Sequence, residues 1–290
     1  MMSIEIKELA YTYMRGTPFE RKALEGVSLD IPKGSYVALA GHTGSGKSTL
    51  IQHMNGLLSP DKGSVVVDGT DINKKSDAAR KMRRKVGMVF QYPENQLFEE
   101  TVASDIAFGP LNLGLDEAAA TKRVKKAMEL VQLDYDKYKE RSPFQLSGGQ
   151  KRRAAIAGVL AMQPDYLVLD EPAAGLDPQG KEDMMQMVKS LHKGGTTIVL
   201  VSHDMDDIAR FADKLVVMDG GRIIFDGKPM ELFSDREKTE HAGLRLPKLT
   251  SLLLSVREAG FDVDVTMTDM DKAVEMIAGM IRERKCRNAK

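Results

Sequence analysis

The sequence predicts an α/β fold, on two observations. Short, almost wholly apolar runs follow residue 32, and runs of that length are typical of parallel strands that are covered on both faces. These runs span residues 36–40, 65–67, 86–90, 166–169 and 198–201. Stretches with helical spacing separate them, at residues 47–55, 116–131, 150–162, 179–191 and 204–211. This alternation indicates a mainly parallel sheet with helices packed on its faces.

The chain on either side of this core carries further strand signals. The first thirty-odd residues alternate apolar and polar side chains, which predicts a β-ribbon. A hairpin is predicted at residues 214–226, because Asp219, Gly220 and Gly221 form a strong turn signal between two short apolar runs. Residues 234–241 are charged and poorly periodic, so we interpret them as a linker.

The tail predicts a small α/β appendage. It contains helices at about residues 247–259 and 268–284, with a short strand at residues 261–265 between them. Thr268 and Asp271 are spaced as a capping box at the start of the last helix. An apolar stripe runs along that helix and predicts core or a subunit interface; it consists of Val274, Ile277 and Ile281.

Composition and charge exclude several classes of protein. The chain has 42 Lys plus Arg and 42 Asp plus Glu, so its net charge is zero and it lacks the long-range attraction typical of nucleic-acid binders. The single cysteine, Cys286, cannot form an internal disulfide, as expected in a reducing cytosol. No basic-then-apolar leader and no run of eighteen apolar residues occur, so we expect a chain that is neither secreted nor membrane-spanning by itself.

A glycine-rich loop between a predicted strand and a predicted helix carries the strongest chemical signal. Its residues match the phosphate-loop pattern G-x-x-x-x-G-K-[ST]: Gly41, His42, Thr43, Gly44, Ser45, Gly46, Lys47 and Ser48. Glycines let successive backbone N–H groups point into one concavity, and the following helix adds partial positive charge. Lys47 is expected to reach the β- and γ-phosphates, and the Ser48 hydroxyl to ligate Mg²⁺. The loop therefore predicts binding of a nucleoside triphosphate.

Two adjacent carboxylates end the apolar run at residues 166–169. Neighbouring residues on a strand point to opposite faces, so Asp170 and Glu171 are expected to have different tasks. We assign Asp170 to Mg²⁺ and Glu171 to orienting or deprotonating the attacking water. The alternative is a strand end where acidic side chains simply meet solvent. Together with the phosphate loop, the pair predicts ATP hydrolysis as well as binding.

A second candidate anion site precedes the helix at residues 150–162. Ser147 is a good N-cap, and Gly148 and Gly149 expose backbone N–H groups toward the helix start. The next residues are all cationic and oppose the helix dipole, which favours a negative ligand: Lys151, Arg152 and Arg153. One hypothesis is that this cradle contacts the nucleotide of another subunit in a dimer closed by ATP. A capped helix with a solvated basic face explains the same residues equally well.

The order of these motifs resembles the nucleotide-binding domain of ABC transporters, over about residues 3–230. Within that family, the sequence of residues 146–156, 170–178 and 201–207 is similar to that of the ATPase subunits of energy-coupling factor (ECF) transporters. The insertion at residues 16–20 and Thr43 resemble the second, A-prime type of subunit. The resemblance implies an ABC-type P-loop NTPase fold, with a RecA-like parallel sheet, an antiparallel β-subdomain and a helical signature subdomain at about residues 92–163. It also implies a domain over residues 1–233 and, over residues 234–290, a linker and a dimerisation appendage.

The resemblance also implies roles for residues that the physical reasoning leaves open. Tyr13 would stack on adenine, and the phosphate loop through Thr49 would hold the phosphates of ATP. Gln91 would lie near Mg²⁺ and the lytic water. His203 would hold the γ-phosphate and position that water, which gives a catalytic set of Glu171, His203, Gln91 and Lys47 and a metal set of Ser48, Gln91 and Asp170.

The remaining implied roles concern a dimer. Ser147, Gly149 and Gln150 would serve the γ-phosphate on the opposing subunit, and Asp177 would bridge the two sites. The alternative for Tyr13 is a packing residue of the β-ribbon, which would apply without the resemblance. Gln91 and His203 would then be a turn residue and a helix-start residue.

The sequence thus favours a peripheral ATPase at the cytoplasmic face of the cell membrane, which energises uptake of vitamins or related micronutrients. The partners expected from the resemblance are a second related ATPase in a heterodimer, a transmembrane coupling subunit and a substrate-binding membrane subunit, with no nucleic acid. The alternatives are a soluble ABC ATPase that acts on ribosomes or DNA, and a nucleotide-binding regulator without hydrolysis. About a hundred residues separate Lys47 from Ser147, too few for the long coiled coil of DNA-repair ATPases.

Overall fold

The computed structural model describes residues 2–288, with side chains through residue 282. Its strands are β1 Ser3–Tyr13, β2 Arg21–Pro32, β3 Tyr36–Ala40, β4 Lys62–Val67, β5 Thr70–Asp71, β6 Val86–Val89, β7 Tyr166–Asp170, β8 Thr197–Val201, β9 Lys214–Asp219 and β10 Arg222–Gly227. Its helices are α1 Lys47–Met54, α2 Asp77–Arg83, α3 Val102–Asn112, α4 Glu117–Leu130, α5 Tyr135–Tyr138, α6 Gly148–Leu160, α7 Pro178–Lys193, α8 Met205–Phe211, α9 Pro229–Phe233, α10 Arg236–His241, α11 Lys248–Glu258 and α12 Met270–Asn288.

The larger sheet has the strand order β10-β9-β3-β8-β7-β6. From β9 to β6 each neighbouring pair is parallel, and β10 is antiparallel to β9. Every residue of β3 and of β8 is buried, as expected for strands with helices on both faces. The predicted parallel core and the predicted hairpin are confirmed. Because parallel strands end at one edge of a sheet, the segments that follow β3, β6, β7 and β8 meet there.

A second, antiparallel sheet has the order β2-β1-β4-β5 and confirms the predicted ribbon. The assignment of residues 65–67 to the parallel core was wrong. They belong to β4, where Val65 pairs with Ile6 and Val67 with Ile4 in antiparallel register. Val65 and Val67 are buried, whereas Val66 between them is only partly buried. An apolar run of three residues does not distinguish a half-covered strand from a fully covered one.

Helices dominate the segment between β6 and β7. α3, α4 and α6 contribute to one core, in which Ile106, Val124, Met128 and Ile156 are buried against each other. The sequence analysis missed α3, which begins after a capping box between Thr101 and Ser104. This segment matches the position of the predicted helical subdomain, while the domain division itself stays a prediction.

The interpretation of residues 234–241 as a linker was wrong, because they contain α10. The Asp235 carboxylate caps this helix by accepting from the Lys238 N–H at 3.1 Å. Thr239 is fully buried and donates its hydroxyl to the Leu232 carbonyl at 2.8 Å. Beyond the helix, Leu244 packs in the same core as Phe233. The charged sequence gave no apolar periodicity to indicate α10, which the buried Thr239 hydroxyl links to α9.

The appendage has its own small core, formed where α11 and α12 cover the segment between them. That segment is not the predicted strand. Val263 and Val265 are buried in the core, but residues 261–264 have no regular secondary structure. The predicted capping box at Thr268 was also wrong: α12 begins at Met270, and the Asp269 carboxylate accepts from the backbone N–H groups of Asp271 at 3.1 Å and Lys272 at 3.2 Å.

Among the described residues, no helix combines the length and the apolar character that a membrane crossing requires. The side chain of Cys286, which the sequence analysis singled out, lies outside the described residues.

Replacing Phe233 by alanine is expected to lower the free energy of unfolding by about 3–5 kcal/mol, because its ring is fully buried where α9 packs on β3 and β9. Phe19→Ala is the matched control: its ring is 77% exposed, so the same truncation should change stability by less than about 0.5 kcal/mol. Urea denaturation of the two variants measures both values. Equal losses would show that this core does not stabilise the fold as described.

Candidate active site

The parallel strands bring most of the predicted site residues to one cavity at their carboxyl ends. The phosphate loop follows β3, Gln91 lies two residues beyond β6, Asp170 ends β7 and His203 lies two residues beyond β8. The cavity has a volume of about 670 Å³ and is lined by Tyr13, Arg21, Ala23, Gly41, His42, Thr43, Gly44, Gly46, Lys47, Ser48, Thr49, Gln91, Asp170, Glu171, Val201 and His203. A ligand here would contact the phosphate loop and both carboxylates.

The phosphate loop is shaped by glycines in conformations that other residues rarely adopt. Gly44 has φ +86° and Gly46 has φ +106°, both in the left-handed region. Gly46 is the N-cap of α1 and offers no side chain to the first N–H groups of the helix. Those donors and the helix dipole therefore face the cavity, which is the arrangement that binds phosphate. Ser45, within the loop, is fully buried.

Lys47 lies inside the loop that it is expected to serve. Its ammonium donates to the carbonyl oxygens of Gly41 at 2.7 Å and His42 at 2.9 Å. Burial lowers the pKa of Lys47, and the negative charges of Glu171 and Asp170 act against that shift. The cation is therefore held close to where phosphate oxygens would lie.

Asp170 is placed beside the hydroxyl that the sequence analysis assigned to Mg²⁺. The Ser48 Oγ lies 3.5 Å from Asp170 Oδ2. Burial raises the pKa of Asp170, the charge of Glu171 raises it further, and Lys47 acts in the opposite direction. The two groups together form an oxygen-rich corner with excess negative charge, and oxygen ligands are those that Mg²⁺ prefers.

Strand geometry predicted that the side chain of Glu171 would point away from that of Asp170, and this prediction was wrong. β7 ends at Asp170, and Glu171 has φ +48°, a left-handed conformation that is uncommon for a residue with a side chain. The chain turns at this point, so both carboxylates line one cavity. Their partners still differ, since Glu171 accepts from Gln91 Nε2 at 3.2 Å and lies 3.2 Å from His203 Nδ1.

Tyr13 lies at the rim of the cavity, at the end of β1. Its hydroxyl is 3.2 Å from the Thr49 hydroxyl on α1, and its ring meets the Tyr11 ring edge to face at 4.9 Å. The side chain remains 37% exposed. One edge of the ring is thus fixed to the phosphate-binding helix while part of its surface stays open.

The second candidate cradle is built as a capped helix start. Ser147 and Gln150 form a capping box at the start of α6, and Gln150 Nε2 also donates to the Tyr138 hydroxyl at 3.0 Å. In the chain as described, Ser147, Gly149 and Gln150 do not line the phosphate-loop cavity.

The expectation that the cations beside this cradle favour a negative ligand was wrong for Arg152. Its side chain is only 3% exposed and pairs with Glu94 at 2.8 Å. It also donates to the Pro172 and Ala174 carbonyls. Arg153 likewise donates to the Val131 carbonyl at 2.8 Å. Both arginines therefore have partners within the chain, Arg152 in the segment that follows β7 and Arg153 at the end of α4.

Asp177 is also apart from the cavity, where it caps α7 by accepting from the Gly180 N–H at 2.7 Å. Sequence reasoning missed Arg21 and Ala23, which line the cavity from β2. It also missed the contact of Asp219 with His42, at 2.7 Å. No local motif marks these positions, since each comes to the site through long-range strand pairing.

Comparison with known proteins places this site in a family. The family model described as "ABC transporter" matches residues 24–174. The chain is 52% identical over 282 residues to energy-coupling factor transporter ATP-binding protein EcfA2 of Clostridium perfringens, covering 97% of this chain and 99% of the relative. The protein of the same name from Symbiobacterium thermophilum is 50% identical, with 98% of each chain covered.

Two solved structures resemble the fold. The structure of cbiO1 from Clostridium perfringens, part of the ABC transporter complex cbiONQ, superposes with a TM-score of 0.73 at 39% identity and covers 87% of this chain and 99% of that one. A dimeric ATP-binding cassette in a post-hydrolysis state, bound to ADP and Pi, gives a TM-score of 0.69 at 32% identity and covers 78% of this chain and 98% of that one.

Gly41→Ala is expected to weaken ATP binding by about 10- to 100-fold, through loop strain of about 1–3 kcal/mol. Gly41 has φ +141°, and an added Cβ would lie 2.2 Å from the Met218 carbonyl oxygen, so the loop must move. Gly279→Ala, in open space on α12, is the control and should bind ATP as the wild type does. Titration with a fluorescent ATP analogue measures both. Unchanged affinity in Gly41→Ala would exclude the loop as the phosphate site.

Proposed function

Because the chain belongs to the ABC transporter family and, within it, to the energy-coupling factor transporter ATP-binding proteins, we propose that it binds and hydrolyses ATP to drive an energy-coupling factor importer. The observation that carries the proposal is the position of Glu171. Its carboxylate lies between Gln91 and His203, in the same cavity as the phosphate loop. That is where a water attacking the terminal phosphate of a bound nucleotide must be held.

The residues divide the work of phosphoryl transfer. The loop N–H groups and Lys47 hold the phosphates and offset their charge. Glu171 orients the attacking water and accepts its proton, while Gln91 and His203 fix the two oxygens of that carboxylate. Since Glu171 has a left-handed backbone and contacts on both oxygens, its direction is set before a substrate arrives.

Ser48, Asp170 and the free amide oxygen of Gln91 fit the ligand chemistry of Mg²⁺, which would hold the β- and γ-phosphates and neutralise charge that develops on them. The excess negative charge around Asp170 supports this assignment. The residues would supply part of the coordination shell, and phosphate and water oxygens the rest.

Tyr13 is proposed as the residue that stacks on adenine. Its ring lines the cavity and is partly exposed, and its hydroxyl is held by Thr49 on the helix that begins at the phosphate loop. An aromatic ring that is fixed beside the phosphate loop offers a face on which a base can stack.

We propose that the working unit is a dimer with a second, related ATPase, and favour a heterodimer. Ser147 and Gly149 lie outside the cavity of their own chain, so they are available to the nucleotide of an opposing subunit. α12 also presents exposed apolar side chains, with Val274 at 56% and Ile281 at 46% exposure. An apolar helix face of this kind is typical of a subunit interface. Asp177, at the start of α7, is proposed to bridge the two sites.

A transmembrane coupling subunit is proposed to dock in a groove between α2, α3, α6 and the segment that follows α1. The groove has a volume of about 560 Å³, and its lining includes Leu57, Arg83, Phe98 and Phe108. The two phenylalanine rings meet edge to face at 5.0 Å and are 57% and 46% exposed. Exposed aromatic side chains with arginine nearby are enriched where proteins bind each other. Docking there would hold the chain at the cytoplasmic face of the membrane.

The cargo is proposed to be a vitamin or a related micronutrient, selected by a separate substrate-binding membrane subunit. A role on ribosomes or DNA is disfavoured by the zero net charge of the chain.

Glu171→Gln is expected to lower ATP hydrolysis by the assembled transporter at least about 100-fold, because the amide cannot accept the proton of the attacking water. ATP affinity should stay within about threefold of the wild type, since the phosphate loop is untouched. Glu117→Gln, the same chemical change at an exposed position on α4, is the control and should retain full activity. Unchanged hydrolysis in Glu171→Gln would contradict the catalytic assignment.

Purification of the tagged chain from gently solubilised native membranes tests the partners. We expect a polytopic membrane protein and a second, related ATPase to co-purify, because the groove and α12 would both be occupied in the complex. Phe98→Asp should lose the membrane protein, and Val274→Asp should lose the second ATPase. Recovery of only ribosomal or DNA-associated proteins would favour the soluble alternative.

A further inference from the structure

The turn between β9 and β10 is joined to the phosphate loop by two polar contacts. Asp219 Oδ1 lies 2.7 Å from His42 Nε2, and the Gly221 N–H donates to the Ser45 carbonyl at 3.0 Å. Both contacts join the loop to a hairpin that lies about 180 residues further along the chain. Residues outside the phosphate-loop motif thus help to fix the conformation of the loop.

The His42 ring has a hydrogen-bond acceptor at each nitrogen. Nδ1 lies 2.8 Å from the Thr43 carbonyl oxygen, and Nε2 lies 2.7 Å from Asp219 Oδ1. A neutral imidazole can donate from only one of its nitrogens, whereas the imidazolium donates from both. The arrangement therefore favours the protonated ring.

The groups around His42 act on its pKa in both directions, and the net shift is upward. The Thr43 carbonyl and then Asp219 raise the pKa of His42, while burial and the charge of Lys47 lower it. Other charged or titratable groups line the same cavity from β2, β7 and the end of β8: Arg21, Asp170, Glu171 and His203. The phosphates of a nucleotide would add negative charge and favour the imidazolium further.

We propose that Asp219 is a positioning residue for the phosphate loop: its carboxylate holds His42 as an imidazolium that pins the loop to the β9–β10 turn, so that ATP affinity depends on pH. The inference rests on the proposed ATP site. In the pinned loop the Thr43 carbonyl and Asp219 raise the pKa of His42 above the ordinary histidine value of about 6.5, whereas a loop released from the hairpin loses the Asp219 contact. The contact therefore favours the pinned, ATP-binding loop fully below that ordinary value. The contribution is lost as pH rises through the raised value. ATP should therefore bind more tightly on the acidic side of this range.

The test compares the affinity of the full chain for a fluorescent ATP analogue, with Mg²⁺, between about pH 5.5 and 8.5. The phosphate of the analogue titrates in the same way with every variant. We therefore compare between variants one ratio, the dissociation constant at about pH 8.5 divided by that at about pH 5.5. One hydrogen bond gained or lost predicts a ratio in the wild type that is about two- to tenfold above that of Asp219→Asn. Asp226→Asn removes the same charge from the same hairpin, where Asp226 pairs with Lys214, and should keep the wild-type ratio.

Nuclear magnetic resonance of the five histidine side chains gives a second readout, with the His42 signal assigned from His42→Gln. We expect its pKa to be above the ordinary value in the wild type and lower in Asp219→Asn. If ATP binds but the wild type and Asp219→Asn have equal ratios, or if His42 titrates at the same pH in both, this proposal is overturned while the proposed function stands. A wild-type chain that does not bind the analogue at any pH would overturn both.

Discussion

The parallel pairing of β3 with β8 and β9 is the constraint on which the site depends. Val37 lies opposite Val199 on one side and Lys214 on the other, and this register brings the ends of the three strands level. The apolar strands are buried between helices, so their register is fixed by the core. Each strand then delivers one polar segment to the same edge. The chemistry of the site is thus a consequence of how apolar residues pack beneath it.

The electrostatics of the cavity follow from that placement. Burial shifts the pKa of Lys47 downward and that of Asp170 upward, so both shifts reflect the cost of keeping a charge at this depth. The Lys47 ammonium contacts loop carbonyls, while Asp170 lies beside the Ser48 hydroxyl. A nucleotide with its cation would bring opposite charge to each group. Binding of such a ligand would offset the unfavourable burial of both charges. This supports the proposed site for a polyphosphate with a divalent ion.

Local signals allowed the sequence to predict the main parts of the site. The phosphate loop and the Asp170–Glu171 pair are runs of neighbouring residues, so their chemistry can be recognised before the fold is known. Glu171 shows the limit of that reasoning, since its left-handed backbone reverses the direction that an extended strand would give it. The roles taken from the resemblance, such as those of Tyr13 and Asp177, stay predictions.

The errors have a common physical origin in contacts between distant parts of the chain. α10 is polar along its length and is held by a buried Thr239 hydroxyl, which leaves no apolar periodicity to detect. Residues 261–265 have the composition of a strand but no neighbouring strand, so Val263 and Val265 bury their side chains without a ladder. Asp219 belongs to a turn signal in sequence, and only the packing of the hairpin on the phosphate loop gives it a second role.

The start of α6 shows how the structure changes an argument without removing its conclusion. The case for an anion rested partly on unpaired cations, and Arg152 is in fact paired with Glu94 inside the chain. What remains is the backbone: Ser147 is held by Gln150, and Gln150 by the Tyr138 hydroxyl. This chain of hydrogen bonds orders the start of α6, where Gly148 and Gly149 lie. Ser147 and Gly149 lie outside the phosphate-loop cavity of their own chain, so donors ordered in this way support the proposed contact with the nucleotide of a second subunit.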